Sequence, residues 1–511
     1  MTENYLNILA ETIRTNWDAP ALTDFYLTED GIAQDTSRGN HYTYGEMYIE
    51  ICRVAELLTS LGLKKGDHIA ICGANSAHWV IAYLAIAKMQ GVVATILHTR
   101  MAEDIVYQAD FSDAKALFTD EDIWSELKSQ SVPQVGSVIG LENWQILRGE
   151  NLQISNFQSP ISNSDCGFPQ SAPENLAMIC FTSGTSGSAK GVMLSYGNLS
   201  NNISDTKLIY PNTELSNILS VFPFGHMLGL HFELLSQLSF GKNIYLFRET
   251  KTTKNLYNAY NIVKPYAIAS APALIKAIVE RYQEEFYDLL LNSCEYIIFG
   301  GAKFNEEVVL QMLQLRIKVT NAFGMSETGA IVSGSSYMTY KYPSCGKALQ
   351  GNAIRISPAG EILVKGENVM LGYYKDPEAT AAKIDADGWL HTGDKGHLDE
   401  DGYLYVEGRL EQDIIVLPNG ENIRPDNIES LINALPEVSE SIVLARDGKL
   451  VAIVVLKKSS PSLEERAGVR LSILRAVNPQ LPLFSQLYDI EITDTPLART
   501  EKQTIKRYLY S

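Results

Sequence analysis

The sequence predicts a multidomain α/β protein: a large N-terminal region of layered α/β sheets with a small β-barrel-like unit, then a small α+β C-terminal domain. Three observations carry this expectation. Short apolar runs alternate with longer amphipathic segments through the first part of the chain, strict apolar/polar alternation begins after about Cys345, and the texture changes again near Arg409.

Taken in order, HIAICG (His68–Gly73) predicts a strand, Ser76–Gln90 a helix and GVVATIL (Gly91–Leu97) the next strand. Such a βαβ unit builds parallel sheets covered by helices. WVIAYLAIA (Trp79–Ala87) is the most apolar stretch, but Lys88 interrupts it. A membrane span needs about 20 apolar residues, so a buried helix is expected and no transmembrane segment. Further strands are expected at Leu176–Gly184, Asn243–Phe247 and Glu295–Gly301. Each ends in a small-residue loop, where open α/β sheets place their ligands. Asn352–Gly366 alternates around Pro-Ala-Gly and predicts a β-hairpin. Ser441–Leu456 reads as two strands joined at Asp447-Gly448, beside the helical RPDNIESLINAL. The expected domains are 1–408, with a β-rich part at about 341–408, a linker at 409–413, and 414–511.

The 511 residues include 42 Lys+Arg and 60 Asp+Glu, so the net charge is 42 − 60 = −18. That balance argues against nucleic acid and anionic membrane as partners. With 45% hydrophobic residues the chain has ample core material, which excludes a mostly disordered protein. Six scattered cysteines with no C-x-x-C pair predict neither a disulfide framework nor a zinc site. The first residues lack a basic stretch followed by an apolar core, so a cytoplasmic location is expected.

The sharpest local feature is TSGTSGSAKG, Thr182–Gly191, with five hydroxyls, three glycines and one lysine after a predicted strand. Glycine-freed backbone N–H groups, hydroxyls and an ammonium together make a nest for phosphate oxygens. The composition also suits a flexible surface loop; the preceding strand and the single lysine favour the nest. The P-loop of common ATPases is excluded, because Lys190 is followed by Gly191 rather than Ser or Thr.

FTSGTSGSAKGVMLSYGNL (Phe181–Leu199) resembles the signature of the adenylate-forming superfamily, which includes acyl-CoA and aryl-CoA synthetases, peptide-synthetase adenylation domains and firefly-type luciferases. FPFGHMLGL (Phe222–Leu230), FGGA (Phe299–Ala302), NAFGMSETG (Asn321–Gly329), GWLHTGDKGHLDEDGYLYVEGR (Gly388–Arg409) and NGENIRPDNIE (Asn419–Glu429) resemble its further motifs in the expected order. The likeness spans nearly the whole chain.

The resemblance implies ATP-dependent conversion of a carboxylic acid to an acyl-adenylate, then transfer to the thiol of coenzyme A, with ATP, Mg2+ and coenzyme A as cofactor and co-substrates. It implies that Thr182, Ser183, Gly184, Thr185, Gly187 and Lys190 hold phosphates and that Glu327 holds magnesium. Phe323, where the family usually has Tyr, would stack on adenine beside Gly300, Gly301, Ala302 and Gly324, and Ser326 keeps the usual hydroxyl. Asp394 would bind ribose, with Arg409 beside it or on phosphate. His226 would line the acid pocket. The C-terminal domain would be mobile, turning at 409–413 to bring Gly420 and Glu421 to the thiol.

Two positions depart from the family pattern. The hinge, GRLEQDIIVL, is one residue longer and lacks the usual lysine. In RTEKQTIKR (Arg499–Arg507), Thr504 stands where the family has a catalytic lysine; Lys502 and Lys506, two residues either side, are the replacements on the same face of an extended segment. The alternative readings are therefore an adenylate-binding homologue with weak adenylation, or a stand-alone enzyme loading a carrier protein. The apolar run around His226 suggests a fatty acid first and an aromatic acid second. An amine-anchoring Asp is missing after His226, Glu233 being the nearest acid.

Overall fold

The computed structural model describes residues 3–31, 33–149, 161–182, 189–210, 217–248, 252–270, 272–294, 296–300, 306–336, 338–410, 414–418, 421–457, 463–498 and 507–510. These fall into two compact units, a large one within residues 1–408 and a smaller one built chiefly from Arg409 onward, with Thr99–Met101.

An eight-stranded sheet forms the centre of the large unit. Its spatial order is Gly372–Tyr373, Lys190–Ser195, Leu176–Thr182, Val92–Ile96, His68–Cys72, Ala114–Thr119, Ser137–Gly140 and Ile146–Arg148. The five strands from Leu176–Thr182 to Ser137–Gly140 are parallel, and the other three run antiparallel to their neighbours. His68 pairs with Val92 and Cys72 with Ile96, so the expected βαβ unit is present. Its helix, Ala77–Lys88, starts where the Ser76 hydroxyl caps the Trp79 N–H at 3.1 Å. Every residue from Ala77 to Ala87 is buried. Being apolar on all sides, the helix needs covering all round, and the core supplies that cover. Among the described residues, no helix is long and apolar enough to cross a membrane.

A second sheet joins Asn217–Ser220, Asn243–Phe247 and Pro20–Phe25 in parallel, with His41–Thr43 antiparallel at the edge. A third runs Ala267–Ser270, Tyr296–Phe299 and Val319–Phe323 in parallel, then turns antiparallel through Ser333–Gly334 and Lys347–Ala348. The β-rich part holds a four-stranded sheet, Asn352–Ile356, Glu361–Gly366, Leu390–Leu398 and Leu404–Arg409, whose first two strands form the expected hairpin.

In the small unit, Val438–Arg446, Lys449–Leu456 and Leu487–Thr493 form one sheet, accompanied by helices Pro425–Asn433 and Leu463–Val477. Arg446 pairs with Lys449 across a two-residue turn in which Asp447 (φ 50°) and Gly448 (φ 74°) are both left-handed. That turn matches the right-handed twist of the strands it joins, which is why Asp-Gly marks it in the sequence.

Candidate active site

The glycine-rich segment leaves the central sheet and returns to it. Strand Leu176–Thr182 runs out to the loop, and Lys190–Ser195 comes back antiparallel with Thr182 paired to Lys190. A strand, not a helix, follows the loop, which separates it structurally from the ATPase P-loop. Tyr373 pairs with Val192 on the next strand, so Tyr373 and Lys190 are diagonal neighbours on one face. The Lys190 ammonium lies 5.0 Å from the centre of the Tyr373 ring. The Tyr373 hydroxyl in turn donates to Glu327 Oε1 at 2.8 Å. Burial, reinforced by the Glu327 charge, holds this phenol well above its ordinary pKa. Ser183, Gly184, Thr185 and Gly187 lie outside the described residues.

Glu327, 7% exposed, sits in a single 3₁₀ turn, Ser326–Thr328. The chain enters that turn from strand Val319–Phe323, whose last residue, Phe323, packs against Val332, Ile362 and their neighbours. Gly324 passes so close to the outgoing backbone that a Cβ there would fall 1.9 Å from the Ala330 carbonyl oxygen. Gly329 closes the turn at φ +64°. Ser326 is half-buried at the first position of the turn.

Helix Tyr196–Ile209 supports this turn from behind. It begins in a reciprocal cap: Ser195 Oγ accepts from the Asn198 N–H at 3.1 Å, and Asn198 Oδ1 accepts from the Ser195 N–H at 2.9 Å. One turn on, fully buried Asn202 donates from Nδ2 to the Thr328 carbonyl at 3.0 Å and accepts at Oδ1 from the Ile331 N–H at 2.9 Å. Asn198 Nδ2 also donates to the carbonyls of Glu367 and Val369. Asn201 donates to Asn368, whose Nδ2 contacts both the Ile331 carbonyl and the Asp205 carboxyl. The Met370 N–H donates to the Glu327 carbonyl at 2.9 Å. The helix thus binds the Glu327 turn to the segment leading to Tyr373. These asparagines escaped the sequence reading; their spacing at 198, 201 and 202, ahead of Asp205 and Thr206, is the polar stripe that could have revealed them.

His226 lies in the turn after strand Asn217–Ser220. Asn75 holds that turn, donating to the Phe222 carbonyl at 2.6 Å and accepting from the Phe224 N–H at 2.9 Å. His226 Nδ1 accepts from the Leu228 N–H at 3.2 Å, so in the neutral ring the proton is on Nε2. A π-helical stretch, Leu228–Leu235, follows. Within it, Glu233 folds back and accepts at Oε2 from Ser220 Oγ and the N–H groups of Val221 and Phe222, each at 2.9 Å. A Cβ on Gly300 would lie 3.9 Å from Leu228 Cδ1 and 3.7 Å from the Ala322 carbonyl, so the His226 stretch and the Phe323 strand meet at Gly300. Gly301 and Ala302 lie outside the described residues.

Asp394 is buried in strand Leu390–Leu398, its N–H donating to Thr392 Oγ1 at 3.0 Å. It stands near Cys345, whose thiol burial pushes up to about 12 with the Asp394 charge adding to the rise. The same Cys345 sulfur accepts from Asn321, two residues before Phe323, at 3.0 Å. Arg409 ends the strand Leu404–Arg409. In the small unit, Glu421 is buried and its carbonyl accepts from the Leu417 N–H at 2.8 Å. Gly420, most of the hinge (411–413), Lys502, Thr504 and Lys506 lie outside the described residues.

Residues 9–374 match the family described as AMP-binding enzyme, and residues 412–510 match the AMP-binding enzyme C-terminal domain. The chain belongs to the AMP-binding enzyme family. Similar proteins within reach of this AMP-binding enzyme include 4-coumarate–CoA ligase 3 of Arabidopsis thaliana, 27% identical over 93% of this chain and 87% of the relative. A 2-succinylbenzoate–CoA ligase of Bacillus cereus is 28% identical over 86% of this chain and 88% of its own. A Rhodococcus jostii CoA ligase named for a methyl-dioxo-octahydroindenyl propanoyl group is 27% identical over 91% and 93%. Among solved structures, the o-succinylbenzoate CoA synthetase of Bacillus subtilis superposes with a TM-score of 0.76 at 24% identity, covering 98% of this chain and 97% of the other.

The donor set of this AMP-binding enzyme fits a magnesium ion held chiefly by nucleotide. Among the described residues no group of three His, Cys, Asp or Glu side chains could hold a metal. Magnesium at phosphates typically takes one or two carboxylates and completes its shell with phosphate oxygens and water. Glu327 offers one such carboxylate, with only Oε1 hydrogen-bonded to Tyr373.

Proposed function

We propose that this AMP-binding enzyme is an AMP-forming acid–thiol ligase. A carboxylate oxygen attacks the α-phosphorus of ATP and pyrophosphate leaves; the coenzyme A thiol then attacks the acyl carbonyl and AMP leaves. The observation that carries this reading is the grouping of Lys190, Tyr373 and Glu327 where the glycine-rich hairpin opens. Two anions must meet and a polyanion must depart, so the barrier is one of positioning and charge.

In this reading Lys190, Thr182, Ser183, Gly184, Thr185 and Gly187 hold the departing phosphates. Bound magnesium, held by Glu327, supplies neutralising charge on the phosphates. Phe323 stacks on adenine beside Gly300, Gly301, Ala302 and Gly324; Ser326 hydrogen-bonds the nucleotide; Asp394 and Arg409 hold ribose. His226 presents its Nε2–H to the acid. The 414–511 domain turns at 409–413 and brings Gly420 and Glu421 to the thiol, and Lys502 or Lys506 supplies the charge absent at Thr504. Six free cysteines suit a reducing compartment, and we place the reaction in the cytoplasm.

For the acid, the relatives named above favour a ring-bearing carboxylate over a plain fatty acid. Glu233 is committed to the backbone at Val221 and Phe222, which argues against an amine anchor and an amino-acid substrate. Pyrophosphate release across aryl, alicyclic, fatty and amino acids, followed by thioester assay with coenzyme A, tests the reading. Release with a ring-bearing acid and thioester formation support it. Release with no acid despite ATP binding would sink it in favour of an adenylate-binding homologue. Release without transfer to coenzyme A points instead to a carrier protein.

A further inference from the structure

Lys190 and Glu327 share one neighbour, and among the described residues no ion pair joins them directly. Tyr373 stands between them. Its ring face receives the ammonium and its hydroxyl reaches the carboxylate, so one side chain satisfies both groups without letting them meet. The two contacts reinforce each other: a cation over a phenol ring strengthens its O–H as a donor, and an anion at the hydroxyl enriches the ring face.

Tyr373 is itself fixed. Its strand is hydrogen-bonded to Val192 and Met193, its N–H donates to Thr380 Oγ1 at 2.8 Å, and the N–H of Tyr374 donates to the Gly191 carbonyl at 2.7 Å. The Thr380 hydroxyl that receives the Tyr373 N–H also donates to the Asp376 carbonyl. The ring is therefore aimed by both the sheet and the helix Pro377–Lys383.

We propose that Tyr373 is a positioning residue for adenylation, a spacer that keeps the Lys190 ammonium and the Glu327 carboxylate apart so that each remains available to the metal–nucleotide. Without it, a lysine and a carboxylate in a half-buried place would pair directly, and each would lose its capacity for the incoming polyanion and its cation. This inference rests on the ligase reading for the identity of the ligand, but the spacing is a property of the three side chains.

The test compares wild type, Tyr373→Phe and Tyr373→Leu, with ATP and Mn2+ as probes. Calorimetry measures metal-free ATP binding, and Mn2+ electron paramagnetic resonance measures metal binding in the presence of ATP. Tyr373→Phe keeps the ring and loses the hydroxyl. It should weaken Mn2+ binding by about ten-fold, the worth of one hydrogen bond to a charged group, and leave metal-free ATP affinity within about two-fold. Tyr373→Leu should weaken both. In a Glu327→Gln background, Tyr373→Phe should have no further effect on metal binding, because the hydroxyl acts through the carboxylate. Equal binding of ATP and of Mn2+ by wild type and Tyr373→Leu, with matching melting curves, would overturn the spacer. Equal losses from Tyr373→Phe with or without Glu327→Gln would also overturn it, since the effect would then be general. Absence of ATP binding by the wild type would strike the ligase reading instead.

Discussion

Asn202 and Gly329 occupy adjoining space so closely that a Cβ on Gly329 would fall 2.6 Å from the Asn202 amide nitrogen. The pair locks the back of the Glu327 turn. Removing the carboxamide with Asn202→Ala leaves the Thr328 carbonyl and the Ile331 N–H, both buried, without their partner. At about 1–3 kcal/mol for each of the two unpaired groups, a loss of about 2–6 kcal/mol of stability is expected. Gly329→Ala meets both the collision and the left-handed backbone, so it should lower the melting temperature as well. Thermal melts beside wild type check both variants, and unchanged curves would refute the lock.

Two buried titratable groups on the same support predict how stability responds to pH. Burial raises the Asp205 carboxyl, 1% exposed, to about 7. Its folded-state value lies above the unfolded one, so the unfolded chain releases its proton first and stability falls as pH rises from about 4 to about 7. Burial lowers His231, at 2.6 Å from Thr206 Oγ1, to about 3. Its unfolded state binds a proton first on acidification, so stability falls as pH drops from about 6.5 to about 3. The slopes oppose each other between about pH 4 and 6.5. Asp205→Asn should remove the first, making the variant gain on wild type as pH rises toward 7. Melts at pH 5, 6, 7 and 8 decide this; a constant offset between the two proteins would count against it.

Glu233 should prove structural. Glu233→Gln keeps the shape but weakens three hydrogen bonds at 2.9 Å, and a loss of about 1–3 kcal/mol is expected. Amino acids should give no pyrophosphate above background with either protein. Amino-acid activation that disappears in Glu233→Gln would restore the amine-anchor role.

Gly229 offers a test of the His226 turn. A Cβ there would sit 2.6 Å from the Phe222 carbonyl oxygen and 2.7 Å from that of Pro223. Gly229→Ala must open this turn, so KM for the acid should rise by about ten-fold or more while KM for ATP changes little. Steady-state kinetics with each substrate varied in turn would reveal it; a parallel rise in both KM values would contradict the prediction.

Much of the fold was legible because its signals are local. His68–Gly73, Gly91–Leu97 and the Asp447-Gly448 hairpin each announce themselves through apolar runs or turn residues a few positions apart. The return strand Lys190–Ser195 was not, because KGVMLS shows neither strict alternation nor a turn signal. Within the candidate site, Lys190, Glu327, His226, Phe323 and Asp394 are singled out in the sequence by motif resemblance alone. Tyr373 and Asn202 are not, since their meaning lies in partners 183 and 126 positions distant, joined only by the fold. Glu233 was legible as an acid near the pocket, but its commitment to Val221 and Phe222 depends on the π-helical turn that folds it back.

The pairing of Thr182 with Lys190 has a consequence for how this family's loop can drift. A strand side chain changes face with each residue, so the direction of Lys190 is counted from the sheet, not from the loop. An insertion before Lys190 lengthens the loop and leaves the ammonium on the Tyr373 side. An insertion between Lys190 and Ser195 turns it to the opposite face. The face that Lys190 presents is therefore held by the Thr182 pairing whatever the length of the stretch between them, while a single-residue slip just past Lys190 would turn its ammonium away from Tyr373.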